Sequence, residues 1–160
     1  MNKAKPQIYD ILKREHEEVG ELLHRLKEAK GRAAEDLFNQ VRLKLVPHSR
    51  GEEAVVYPRL QGEKTTAEKI SVSFEEHRQV DVLLEELGGM SPRDEEWTAK
   101  VHVLVDMVGH HVDEEEGELF PLARNLLSDR EAAGLAEEYA QARDEAMQAM
   151  TTEDQRGAAE

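Results

Sequence analysis

The chain has 160 residues, 21 Lys and Arg against 35 Asp and Glu for a formal net charge of -14, and 39% apolar residues. That length suits one domain, and so acidic a surface repels phosphate backbones and argues against a nucleic-acid partner. The lack of cysteine excludes disulfides and thiolate metal sites and suits a reducing cytoplasm, the polar start from Met1 to Tyr9 does not read as a secretion leader, and no run approaches the length of a membrane span.

Apolar residues recur at helical spacing, β-branched and aromatic runs are nearly absent, and Gly and Pro cluster at breaks, so the chain reads as all-α. The first helix is predicted from about Pro6 to Lys30, with Ile8, Leu12, His16, Val19, Leu23 and Leu26 on one face and Gly31 ending it. The second runs from about Ala33 to Leu60 and carries Leu37, Val41, Leu45, His48, Glu52, Val55 or Val56, and Leu60. Pro47 is expected to kink or divide it just before His48. The third spans about Thr66 to Leu87, with Ile70, Phe74 (or Ser73), His77, Val80, Leu84 and Leu87 in its stripe. After a Gly88–Pro92 loop, the fourth runs from about Arg93 to Leu126 through Trp97, Val101, Leu104, Val108, His111, Glu115, Leu119 and Leu122, with Pro121 bending its end. Ser128-Asp129-Arg130-Glu131 has the form of a capping box and opens a fifth helix that reaches about Met150. Four long helices with short links predict an up-down-up-down four-helix bundle over residues 1–127. An additional C-terminal helix, residues 128–150, would pack on its outside, and residues 151–160 would form a polar, flexible tail.

Two stretches align without gaps. His48-Ser-Arg-Gly-Glu52-Glu53-Ala-Val-Val-Tyr57-Pro58 matches His111-Val-Asp-Glu-Glu115-Glu116-Gly-Glu-Leu-Phe120-Pro121, at an offset of 63 residues from His48 to His111. The preceding helices match around His16 and His77 at an offset of 61. The chain is therefore a duplicated helical hairpin, and each half supplies a lone His followed by an H-x-x-x-E pair. Residues i and i+4 share a helical face, so His48 with Glu52 and His111 with Glu115 can each converge on one point. All six residues interrupt apolar stripes, where unpaired carboxylates are costly. Cations account for four imidazoles and two carboxylates more economically than a metal-free core of satisfied histidines. With both glutamates bridging, two ions would each have four protein ligands and open positions. Imidazole with carboxylate suits iron or manganese, and zinc is the further option.

These residues resemble the hemerythrin-like proteins, the HHE cation-binding domain family, and within it the bacterial type with four histidines and two glutamates. The likeness rests on His16, His48-x-x-x-Glu52, His77, His111-x-x-x-Glu115, the Glu-Glu pairs, and the Tyr57-Pro58 and Phe120-Pro121 ends, and it covers about Ile8 to Leu127. It implies a four-helix bundle with a non-haem, oxo- or hydroxo-bridged pair of iron ions. His16 and His48 would bind one ion, His77 and His111 the other, and Glu52 and Glu115 would bridge. Oxygen carriers of the family have a fifth histidine one turn before the position of His77, where this chain has Ser73, and Asp81 lies one turn after it. Their second bridging carboxylate is an Asp spaced one residue further on, whereas Glu115 repeats the Glu52 arrangement. The second iron is therefore expected to be more open. This implies a protein that binds and reacts with O2 or peroxide, with catalase-like decomposition of hydrogen peroxide as the candidate oxidoreductase activity. The alternative is a non-catalytic O2 or nitric-oxide binding or sensing protein, or an iron reservoir. A monomer or weak homo-oligomer without membrane or nucleic-acid partners is expected.

Several neighbours have plainer readings. His24, His102 and His110 are expected at the surface. Glu15, Glu53, Glu76 and Glu116 read as a solvated acidic face, with hydrogen bonding to the histidines as the alternative. Tyr57 is a candidate redox or proton-donating residue, but its repeat partner Phe120 favours simple packing of the helix end.

Overall fold

The computed structural model describes residues 5–159. The reading of the first four residues and of Glu160 lies outside them. Helix α1 (Ile8–Glu28) is followed by α2 (Gly31–Gly51), which passes through a π-helical turn (Glu52–Val56) directly into α3 (Tyr57–Gln61). Helix α4 (Ala67–Gly88) follows, then α5 (Glu95–Glu114), a second π-helical turn (Glu115–Leu119), α6 (Phe120–Leu126) and α7 (Asp129–Gly157). The two π turns join their neighbours end to end, so the described residues form five helical rods and no strand. The bundle pairs α1 with α2, α2 with α4, α4 with α5 and α5 with α1, and α7 lies along α2 and α1.

Short polar devices set the ends. The Gln7 backbone N–H donates to Asp10 at the start of α1, and Gly31 takes φ +58° in the tight link to α2, a conformation that costs glycine nothing. The Thr66 hydroxyl donates to the Leu60 carbonyl across the link to α4 at 2.6 Å. Ser128 and Glu131 form the expected capping box at the start of α7.

Two local expectations are corrected. Pro47 does not divide its helix, since α2 is uninterrupted from Gly31 to Gly51. One missing backbone donor is offset by packing against α1 on one side and α7 on the other. The irregularity sits instead five to eleven residues before each helix end, as the π turns. Pro58 and Pro121 each lack an N–H and crowd the carbonyl four residues back. The wider turn relieves this: the Tyr57 N–H donates to Glu52 and the Phe120 N–H to Glu115, each five residues back. Finally, α7 does not end near Met150. It continues to Gly157, where Arg42 donates two hydrogen bonds to Asp154, at 2.8 and 3.0 Å, and ties the extension to α2.

Two apolar clusters fill the interior. One is built around Leu23, Leu26, Val41, Leu84, Trp97 and Leu104. The other gathers Ile8, Leu12, Leu60, Ile70, Leu119 and the α7 residues Leu135 and Tyr139. Leu104 is fully buried in the first cluster, so Leu104→Ala is expected to cost about 2–5 kcal/mol of folding stability, read from chemical denaturation midpoints.

Candidate metal centre

Between the two apolar clusters lies a polar layer. His16, His48, Glu52, His77, His111 and Glu115 are all buried, each at 7% exposure or less. The duplicated hairpin brings them together: α1 and α4 supply His16 and His77, and α2 and α5 carry His48 and His111 in their last turns, just before the π turns that open on Glu52 and Glu115.

The imidazoles form two pairs, with ring centroids 5.0 Å apart for His16–His48 and 4.7 Å for His77–His111. Both carboxylates span the pairs. Glu52 Oε1 lies 3.2 Å from His48 Nε2 and 4.0 Å from His16 Nε2, while its Oε2 lies 3.4 Å from His77 Nε2. Glu115 Oε2 lies 3.2 Å from His16 Nε2, and its Oε1 lies 3.5 Å from His111 Nε2. Two overlapping groups, His16–His48–Glu52 and Glu52–His77–His111, are compact enough to hold a metal ion each.

The outward nitrogens are all engaged. His16 Nδ1 meets Glu116 at 2.9 Å, His48 Nδ1 meets Glu15 at 2.8 Å, His77 Nδ1 meets Glu53 at 2.9 Å, and His111 Nδ1 meets Glu76 at 2.6 Å. The pattern follows the duplication, because each histidine is held by the glutamate adjacent to a site residue of another helix. The plain reading of these four glutamates as a solvated acidic face is thereby corrected. Sequence adjacency could not reveal the pairing, since the partners lie 24 to 100 residues apart. A cation stands behind most of these carboxylates: Arg143 at Glu15, Arg50 at Glu53, and Lys13 at Glu116. Arg50 also pairs with Asp81, which keeps Asp81 outside the centre.

With Nδ1 donating outward, Nε2 presents its lone pair to the interior. His16 Nε2, Glu52 Oε1 and Glu115 Oε2 are buried and have no hydrogen-bond partner among the described residues. Orphaned acceptors facing one another are what a cation resolves, so the residues present fit a metal pair. Without metal, burial disfavours the charged His48 imidazole, but Glu52 and Glu15 outweigh it and raise its pKa to about 10. Burial likewise opposes, and Glu52 and Glu53 overcome, at His77, which rises to about 9. Glu52 falls well below the usual carboxylate range: burial opposes this, and His48 and His77 prevail.

Tyr57 is fully buried and does more than pack the helix end. Its ring meets Phe74 edge-on. Its hydroxyl donates to Glu115 Oε1 at 2.6 Å and lies 3.1 Å from His77 Nε2 and 3.4 Å from His111 Nε2. Burial and the Glu115 and Glu52 carboxylates push this phenol well above its ordinary pKa, so it keeps its proton. The repeat-equivalent Phe120 stacks on His16 with the planes 11° apart. The two histidine pairs are thus different places, one beside a phenol and the other beside a plain ring. The preference for Tyr57 as packing alone is corrected, because its hydroxyl lies among Glu115, His77 and His111. Ser73 is buried on α4, one turn before His77. His24, His102 and His110 are exposed, as expected.

A cavity of about 20 Å³ adjoins the layer, walled by the four imidazoles and by Val19, Leu45, Val80 and Val108. That is room for about one water-sized or diatomic molecule.

The comparisons with known proteins agree with this geometry. The sequence profile of the Hemerythrin HHE cation binding domain matches residues 7–123. A solved structure, a hemerythrin HHE cation binding domain-containing protein from Mycobacterium kansasii, superposes with a TM-score of 0.78 over 90% of this chain and 89% of that one, at 24% identity. A protein of Nostoc sp. (strain PCC 7120) named DNA nickase is 30% identical over 151 residues, or 92% of this chain and 42% of its own length, so the chain spans less than half of that relative. No helix among the described residues is long and apolar enough to cross a membrane. With its profile match, its bundle and its buried histidine–glutamate layer, the chain belongs to the hemerythrin HHE cation-binding domain family.

Proposed function

We propose that the chain holds two iron ions and binds O2 or peroxide beside them, with catalase-like decomposition of hydrogen peroxide. His16 and His48 would hold one ion, His77 and His111 the other, and Glu52 and Glu115 would bridge. The observation that carries this reading is the set of orphaned, inward-facing acceptors: His16 Nε2, Glu52 Oε1 and Glu115 Oε2. Bound iron supplies the electrons and the polarising charge for oxygen chemistry.

The protein's own groups do the rest. The four glutamates on Nδ1 fix each ring's tautomer and aim. The valine and leucine walls exclude bulk water and admit only a small ligand. The Tyr57 hydroxyl, hydrogen-bonded to Glu115 and facing His77 and His111, can donate to a ligand at the His77–His111 side and recover its proton from that ligand. An oxygen carrier has its fifth histidine on that side. This chain has Ser73 and the Tyr57 phenol there, which favours turnover over reversible carriage.

Two observations weigh against an activity on DNA. The matched part is 42% of the Nostoc protein, and a formal charge of -14 opposes a phosphate backbone.

To test the reading, purified chain is loaded with iron, its near-ultraviolet absorption is recorded, and O2 release from added peroxide is measured. Two iron per chain with sustained O2 release is the expected result. A spectral change that stops at one ligand per chain would move the protein to the binding and sensing reading, and failure to retain iron would end both. A variant of an outer partner gives a graded check: Glu76→Gln is expected to weaken metal retention about 10–100-fold, read by chelator competition.

A further inference from the structure

The four Nδ1–glutamate pairs follow the two-fold duplication, but one of them has additional support. At His48, the Tyr139 hydroxyl of α7 lies 2.9 Å from Nδ1 and donates to Glu15, the carboxylate that holds the same nitrogen. Arg143, one turn further along α7, donates to the other oxygen of Glu15. Tyr139 is fully buried. At the equivalent place in the second half, Glu76 holds His111, and among the described residues the further ion-pair partner within 4.0 Å of Glu76 is the exposed His110, at 3.9 Å. The sequence carries a matching asymmetry. A Cβ on Gly51 would meet the Tyr139 ring at 2.6 and 2.9 Å, so only glycine lets the ring approach α2. The repeat-equivalent residue, 63 positions on, is Glu114, whose side chain is 43% exposed. Helix α7 lies beyond the stretch that matches the family profile, residues 7–123.

We infer that α7 is part of the metal centre: Tyr139 and Arg143 are positioning residues that hold Glu15 on His48 Nδ1 and so fix the aim of His48 Nε2. The inference rests on the metal-binding reading above. It makes the His16–His48 half of the centre depend on α7, while the His77–His111 half is held within the bundle alone.

The test uses the full chain loaded with ferrous iron without oxygen. Tyr139→Phe removes the hydroxyl and keeps the ring against Gly51, and Gly51→Ala pushes the ring away. After addition of a chelator, one of the two iron equivalents is expected to leave Tyr139→Phe about 10–100-fold faster than wild type, and the other at the wild-type rate. Gly51→Ala is expected to show the same single labile equivalent. Both equivalents leaving at the wild-type rate, or both accelerated alike as general loosening would cause, overturns the inference. The metal-free protein gives a second readout through side-chain nitrogen NMR. The Nδ1 resonance of His48 is expected to move in Tyr139→Phe while that of His111 stays, and an unmoved His48 resonance overturns the positioning role. A wild-type chain that takes up no iron sinks the iron reading of the site, and the NMR comparison still decides the role of Tyr139.

Discussion

Replacing Glu52 with alanine is expected to empty both halves of the centre. Glu52 is fully buried, and its carboxylate lies within 4.0 Å of His16, His48 and His77 alike. If two ions are held as proposed, its loss would remove a bridge from each at once. Metal content is expected to fall from two per chain to below one, and the stability that metal adds by linkage falls with it, about 2.7 kcal/mol where free metal stands at 100 times the dissociation constant. The metal-free protein suffers as well. His48 and His77 are held charged by this carboxylate, and removing one partner from a buried ionic group costs about 3–5 kcal/mol. Glu52→Gln separates the two effects, since it keeps the volume and loses the charge. It is expected to lose metal like the alanine variant but to unfold at a higher denaturant concentration. Metal analysis and denaturation of both proteins give the answer. Two metals retained in Glu52→Gln would show that the carboxylate is not a bridge.

Tyr57→Phe is expected to leave the metal in place and remove most of the turnover. The substitution keeps the ring's shape, as the duplicated position shows: it already carries Phe120, which follows the equivalent π turn and stacks on His16. What disappears is the hydroxyl that donates to Glu115 at 2.6 Å and faces His77 and His111. A positioned proton donor contributes about 10²–10⁴ in rate, so O2 release from peroxide per bound iron is expected to drop by that factor. Folding stability should fall by about 1–3 kcal/mol, the cost of leaving a buried acceptor short of its donor. Iron content at two per chain with full turnover would remove Tyr57 from the chemistry and return it to packing.

The bundle and the six inward residues are legible from local rules. Helical periodicity places His16, His48, Glu52, His77, His111 and Glu115 on apolar faces, and the offset of 63 from His48 to His111 exposes the duplication. These signals survive in one dimension because i and i+4 neighbours are neighbours in space. The helix that was legible only as an outer addition, α7, is where the local reading fell short. Its capping box is visible at Ser128, but nothing near Tyr139 says that its hydroxyl meets a histidine 91 residues earlier.

What the chain determined by itself was the all-α class, the repeat and the identity of the inward ligand-type residues, because each depends on spacing along a single helix. What only the tertiary structure decided was the orientation of those residues. Glu15, Glu53, Glu76 and Glu116 turned from a presumed surface face into the partners of the four imidazoles, and the Tyr57 hydroxyl came to lie among Glu115, His77 and His111 while Phe120 stayed a plain ring. A hydrogen bond needs its partners within about 3 Å and well aligned, and between helices that condition is met only by the packing of the whole bundle.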